Sequence, residues 1–424
     1  VSEGWPKLTL AEAGVILLDC DHKTPQAVLE GRPYVGIPQM TSGRIDFSTG
    51  RQISEADFVT WNRKTKYQRN DVVLSRRTNP GVTAIDDTGT EFALGQNLVL
   101  LRANGKRVEP AFLRWMVRTP EWWDQIGKFI NVGAVFSSLR CRDVPNFELT
   151  IPPLHEQRAI AATLGALDDK IELNRRMCET LEAIARALFR DWFTGFGPTR
   201  AKMAGTTPYL SPDIWSLFPD RLDDEGKPEG WEVVPLTTAF DLIMGQSPPG
   251  DTYNDDGNGL PFFQGRTDFG FRFPDNRKFC SAPTRLAEKD DTLVSVRAPV
   301  GDINIAAERC CIGRGVAALR HKGGGRSFTY YTAWSLQEEL RQYENTGTVF
   351  GAINKKQFEA LPTIDPGVEL RQAFEGIVDP MDQRIAQNEQ ESRTLAQTRD
   401  LLLPRLMSGE LRVAGVECTV EALL

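Results

Sequence analysis

The residue types that carry catalysis are thinly spread in this chain. His22, His155 and His321 lie far apart, and no spacing nominates a serine and an acid to join any of them in a nucleophilic triad. The chain has no G-x-x-x-x-G-K-[ST] phosphate loop, no strand-borne G-x-G-x-x-G, no H-E-x-x-H and no G-x-S-x-G. It also lacks the Asn-Pro-Pro-aromatic tetrapeptide with which amino-methyltransferases hold a flipped base. Gly323-Gly-Gly325-Arg326 reads as a strand connection rather than a phosphate cradle. Seven cysteines, odd in number and without a CxxC pair, argue against a zinc ribbon or a disulfide framework and for reduced thiols in the cytoplasm. The expectation is a chain with no catalytic residues, no metal and no cofactor of its own.

Cationic and polar side chains are concentrated instead. The net charge is −7, yet residues 32–107 hold 12 Lys+Arg against 7 Asp+Glu, and residues 260–326 again hold 12 against 7. Two basic segments in an acidic whole suit either a solvated mixed-charge surface or two patches for a polyanion. No apolar run approaches the ~20 residues that span a bilayer. The opening VSEGWPKLTL lacks the basic and apolar regions of a secretory signal.

The elements that must position these segments are repeated. In Leu154–Leu188 the residues Ile160, Leu164, Leu167, Ile171, Asn174, Cys178, Leu181, Ala185 and Leu188 step alternately by four and three. That is a heptad seam on one face of a helix, and 35 residues would reach roughly 50 Å. Adding 214 to each position gives Phe374, Val378, Met381, Ile385, Asn388, Ser392, Leu395, Arg399 and Leu402. Asp168/Asp382 and Gly195/Gly409 match at the same offset without a gap. The seam therefore finds its partner inside the chain. An antiparallel pairing would let Asn174 and Asn388 meet near mid-helix, where a seam asparagine sets register. Arg399 is expected to snorkel out of the seam.

The segments before each helix also echo one another. Gly4-Trp5, Leu10 and Ala13 match Gly230-Trp231, Leu236 and Ala239; Asp71 to Gly81 match Asp291 to Gly301; Arg102 matches Arg320; and 133–139 match 347–353. The offset drifts from 226 to 214 along the segment, as two copies with different surface loops would give. β-rich runs at Tyr34–Ile37, Asp71–Leu74 and Asn97–Leu101, with helices over Val108–Val117 and Glu121–Phe129, make each copy an α+β body with a curled sheet. Expected boundaries are 1–151 for the first body, 152–195 for the first helix and 196–229 for a linker spanning two bodies. The second body follows at 230–366, the second helix at 367–412 and a tail at 413–424. Pro380 is expected to restart or kink the second helix, and Pro404 to end or bend it. Two similar basic bodies on a rigid strut suit double-stranded DNA, whose half-sites one turn apart are about 34 Å from centre to centre.

At this point the residues resemble a known family. LHEQRAIAATLGALDDKIELNRRMCETLEAIARALFRDWF, GPTRAKM…IWSLFPDRLDDEGKPEGWE and LLLPRLMSGEL are similar to the specificity subunits of bacterial type I restriction–modification enzymes, over nearly the whole chain. The resemblance implies two target recognition domains joined by two long antiparallel coiled-coil helices with internal pseudo-two-fold symmetry, reading a bipartite, asymmetric double-stranded DNA site. Two modification subunits would dock on the helices and methylate adenine N6 with S-adenosylmethionine. Restriction subunits would add ATP/Mg-driven translocation and cleavage.

Base edges are read by Arg, Lys, Asn, Gln, Ser and Thr from loops, and phosphates by Lys/Arg and backbone amides. The candidates in the first body are Gln39, Thr41, Ser42 and Arg44; Arg76, Arg77, Thr78 and Asn79; and Ser137, Ser138, Arg140 and Arg142. Those in the second are Gln264, Arg266 and Thr267; Arg297; and Asn354, Lys355 and Lys356. The loops after Gly133 and Gly347 match the family's loop that approaches the groove. A structural salt bridge is an equal reading for Arg77 and Arg297, and Trp5/Trp231, Phe136/Phe350 and Leu139/Ile353 read as core. The rival functions are a coiled-coil scaffold without DNA specificity, and an unusual nuclease or methyltransferase.

Overall fold

A computed structural model of the chain describes residues 4–132, 137–345 and 351–415. The chain divides into two compact units, one formed by Val1–Leu173 with Glu391–Leu424 and the other by Asn174–Gln390. Each unit therefore owns one globular body and a stretch of both long helices.

In the first unit a four-stranded antiparallel sheet runs in the order Val15–Asp19, Leu98–Ala103, Val72–Ser75, Thr83–Ala84. Its two inner strands are buried on both faces, which is why they read as unbroken apolar runs. Val72, Leu74, Val99 and Leu101 face the helices Pro110–Met116 and Pro120–Phe129 through Phe112, Trp115, Trp122 and Ile126. The alternate residues Val73, Leu98 and Leu100 face Val35 and Leu94 of a second sheet, with Phe92 beside it, as a strand's period of two requires. That sheet, in the order Arg51–Ile53, Arg32–Val35, Ala93–Leu94, contains one parallel pair.

The second unit repeats this topology. Its four-stranded sheet runs Phe240–Met244, Val316–His321, Thr292–Ser295, Ile303–Ile305. Its second sheet keeps the parallel pair, Leu260–Phe263 with Cys310–Ile312, and grows to five strands. The same bidentate ion pair staples both main sheets: Arg102 donates to Asp71 at 2.8 and 2.6 Å, and Arg320 to Asp291 at 2.5 and 2.8 Å. Each aspartate also accepts a backbone N–H three residues before it, from Gln68 or Glu288, at 2.8 Å.

The first long helix, Leu154–Phe189, ends in a π turn over Arg190–Thr194, and the second spans Val368–Met407. Ile160, Leu164, Leu167, Asn174, Phe374, Val378, Ile385, Asn388 and Leu395 are fully buried, while Ile171, Leu181, Leu188 and Leu402 are partly so. The helices run antiparallel within each unit. Asp168 meets Arg399 and Lys170 meets Glu391 in the first; Phe189 packs edge-on to Phe374 and the Cys178 thiol points at the Ile385 carbonyl in the second.

Four expectations are corrected. Pro380 does not restart its helix, which runs uninterrupted over Val368–Met407, because Phe374, Val378 and Ile385 are buried on either side of it and tertiary packing outweighs one lost backbone hydrogen bond. Pro404 does not itself end the helix, which runs three residues further to Met407, with Leu406 and Met407 buried. Arg399 does not snorkel away; it turns to Asp168 at 2.6 Å. Residues 196–229 are not a free-spanning linker. They form the short helices Gly197–Met203 and Pro212–Ser216 and pack on the second unit, with Phe218 buried edge-on against Trp192 and Phe196 against Trp231. The six described cysteines are free thiols, as their spacing suggested.

Two predictions concern stability. Asp71→Ala leaves the Arg102 guanidinium without its carboxylate and should cost about 2 kcal/mol, read as a lower unfolding midpoint in denaturant; Asp291→Ala should do the same through the second unit. The second prediction concerns pH. His321 is buried edge-on to Phe240, with Nε2 3.1 Å from Arg371 Nη1, and burial followed by that guanidinium pulls its pKa down to about 4. The unfolded imidazole protonates near pH 6.5. The stability carried by the neutral form is therefore complete above pH 6.5 and lost as pH falls towards 4, by about 3 kcal/mol at most. Thermal melts at pH 7 and pH 5 should show a smaller difference for His321→Asn than for the parent.

Candidate nucleic-acid interface

Each body presents two loops that the fold ties edge to edge. In the first body strand Val72–Ser75 runs into the loop 76–79, where Thr78 takes a left-handed conformation at φ 64° and Asn79 N–H donates to the Arg77 carbonyl at 2.7 Å. Ser137–Ser138 pairs with Asn131–Val132, Arg77 bridges Ser138, and Leu139 N–H donates to the Arg76 carbonyl at 2.8 Å. Leu139 is buried beneath this junction, so its neighbours Ser138 and Arg140 are held at the surface. The second body repeats the tie. Arg297 bridges Ala352, Ile353 N–H donates to the Val296 carbonyl at 3.1 Å, and Ile353 is buried. Residues 133–136 and 346–350, the loops following Gly133 and Gly347 with Phe136 and Phe350, lie outside the described residues.

Arg77, Thr78, Asn79, Arg140 and Arg142 are exposed in the first body, and Arg297, Lys355 and Lys356 in the second. Ser137 and Ser138 are half-buried. Arg142 lies 3.7 Å from Asp143, and Lys355 3.5 Å from Glu359. Arg77, Arg140, Arg297 and Lys356 have no acidic partner among the described residues, so the salt-bridge reading of Arg77 and Arg297 falls away. Free guanidinium groups on backbone-braced loops are the chemistry that phosphates and guanine edges select. Thr78 and Asn79 also line a cleft with Thr24, Tyr34, Pro38 and Gln96. Arg76 is half-buried, its Nη2 3.1 Å from Nδ1 of the exposed His22.

Other candidates have structural duties. Gln39 is buried; its side chain accepts from Gly36 N–H at 3.0 Å and donates to the Thr49 carbonyl at 3.3 Å, bracing its own turn. Arg44 is held by Asp87 and by the Asp168 carbonyl at 3.4 Å, so it is not offered to a ligand. Asn354 caps the helix Lys355–Glu359, accepting from Gln357 N–H at 3.0 Å. Each gives up its assignment as a base reader for the same reason: its hydrogen bonds are already spent inside the protein.

The hairpin carrying Thr41 and Ser42 is exposed but separate from the tied loops. Ser42 lines a different groove, with Gly43, Thr83, Arg118, Trp123 and Arg399. In the second body Gln264, Arg266 and Thr267 are exposed around the turn Arg266–Asp268. Arg266 pairs with Asp302 at 2.7 Å, and the Gln264 amide lies 3.5 Å from Ser247 Oγ.

The residues that sequence reasoning missed are Thr24 and Gln96 in the cleft, and Arg118, whose guanidinium donates to the Gly43 carbonyl at 3.1 Å. Burial pulls the Arg118 pKa down to about 10. No local pattern marks them. One further cluster, Asp19, Cys20 and His22, brings three donor atoms within 4.8 Å of one another. Lys64 and Arg76 already supply cations there, at 3.7 Å from Asp19 and 3.1 Å from His22, and burial pushes the Cys20 thiol up to about 11. The cluster behaves as an ion-pair network.

The family model described as "Type I restriction modification DNA specificity domain" matches residues 19–183. A Methanocaldococcus jannaschii relative assigned as a type I restriction enzyme specificity subunit (MjaX) is 30% identical over 90% of this chain and 88% of its own length. The Haemophilus influenzae type I restriction enzyme HindI specificity subunit is 24% identical over 85% of this chain and 90% of its own. The crystal structure of the type I restriction-modification system S subunit from M. genitalium shares the fold, with a TM-score of 0.58 at 18% identity over 96% of each chain. From repeated bodies, paired helices and near full-length similarity, the chain belongs to the type I restriction enzyme specificity subunits.

Proposed function

We propose that this chain reads a bipartite, asymmetric site on double-stranded DNA, one half-site per body, and supplies no active site of its own. The observation that carries the proposal is the repeated pair of tied loops, which displays Arg77 and Arg140 in one body and Arg297 and Lys356 in the other on one shared framework. The frames match while the loop residues differ, so each body addresses different bases. Two modification subunits dock on the long helices, where Leu173, Ile184, Val368 and Leu401 leave apolar surface exposed. No helix among the described residues is long and apolar enough to cross a membrane, so those side chains suit a protein partner. S-adenosylmethionine belongs to the modification subunits, and ATP with Mg to the restriction subunits.

Single-molecule sequencing of a host expressing this chain with its modification subunit tests the reading. A split adenine-methylated motif that vanishes when this chain is deleted is the expected result; unchanged methylation would show that a scaffold role is the correct one. The loops give a second prediction. Arg77→Ala and Arg140→Ala should each weaken DNA binding by the assembled complex. A phosphate contact lowers the slope of log K against log salt by about 1, whereas a base contact relaxes one position by about 1–3 kcal/mol. Binding isotherms at several salt concentrations separate the two.

A further inference from the structure

Both long helices carry a buried carboxylate at the same repeated position, and in each unit it reaches into the segment that carries candidate reading residues. In the first unit Asp168, 4% exposed, receives Arg399 at 2.6 Å, Arg114 at 3.5 Å and Arg44 at 4.0 Å. Arg44 closes the hairpin that displays Thr41 and Ser42. In the second unit Asp382, 3% exposed, receives Arg272 at 2.7 Å and the Tyr331 hydroxyl at 3.2 Å. Arg272 is 1% exposed, lies over the Tyr330 ring at 4.0 Å and donates its backbone N–H to Glu389 at 2.9 Å. It follows the turn Arg266–Asp268 by four residues.

A buried ion pair adds little net stability over well-packed apolar side chains, but it has a direction that apolar contact lacks. The two units keep the aspartate and differ in the arginines. This proposal rests on the DNA-reading assignment above and deepens it: we infer that Asp168 and Asp382 are positioning residues for sequence recognition, each bracing a loop with candidate reading residues in its own body through an arginine, the half-buried Arg44 in one and the buried Arg272 in the other. Neither carboxylate can reach DNA. A loosened clamp therefore degrades discrimination at one half-site and leaves the other intact.

The test uses the complete complex of this chain with its modification subunits. Methylation rates are measured on the native site and on sites substituted at each base of either half. Asp168→Asn and Arg44→Gln should each cut discrimination about tenfold in one half only, the size of one lost base contact, with the double variant no looser than either single. Asp382→Asn and Arg272→Lys should do so in the other half. Variants that melt like the parent and keep full discrimination overturn the proposal, as does equal loss in both halves. Loosening by Arg44→Gln without Asp168→Asn would mean that Arg44 touches DNA itself. Should an aspartate variant not fold, Arg272→Lys decides alone, because that side chain is too buried to be a base reader. If the parent complex methylates no split motif, the DNA-reading assignment falls first, and the positioning role with it.

Discussion

An unpaired carboxylate inside a protein is too costly to keep, so Asp168 and Asp382 dictate what must surround them. Each sits on the face of a long helix that its own body covers, and each is met by arginine: Arg44, Arg114 and Arg399 around one, Arg272 with two tyrosines around the other. The body therefore joins its helices through directed bonds as well as through the apolar seam. Burial, followed by the hydrogen bond and charge of Asp168, acts on Arg399, and the net result raises its pKa. A seam position that would ordinarily repel an arginine thus accepts one.

The rest of each unit is a solution to holding variable loops on an invariant frame. The main sheet is stapled by Arg102–Asp71 and Arg320–Asp291, and the loop after the stapled strand is tied to a second loop through a buried Leu139 or Ile353. Side chains at the tied edge, Arg77 and Arg297 among them, face outward and make no demand on the core. Their identity can change without cost to the fold. The second small sheet has three strands in one unit and five in the other, and the parallel pair at its centre survives that growth.

Much of this was legible in the sequence because it is periodic. The heptad seam, the 214-residue repeat, the strands at Val72–Ser75 and Leu98–Ala103 and the two helices after them follow from apolar spacing alone. The roles of single polar residues were not legible. Gln39 and Asn354 look like base readers by type, yet each spends its amide on local backbone, a choice made by a turn a few residues away. Arg44 is claimed by the Asp87 carboxylate, 43 residues away, and by the Asp168 carbonyl, 124 residues distant. Residues 196–229 read as a linker because their aromatic anchors, Phe196 and Phe218, are too sparse to show a period. Pro380 misled because propensity is local, whereas the packing of Val378 and Ile385 is not.

The central claim is that each body, with its own stretch of the paired helices, reads one half of the target independently. Exchanging residues 4–151 for the corresponding body of the Methanocaldococcus jannaschii relative, and sequencing the methylated motif of the resulting complex, measures this directly. The account predicts a hybrid motif in which one half changes and the other is retained base for base. A motif that changes in both halves, or in neither, would contradict it.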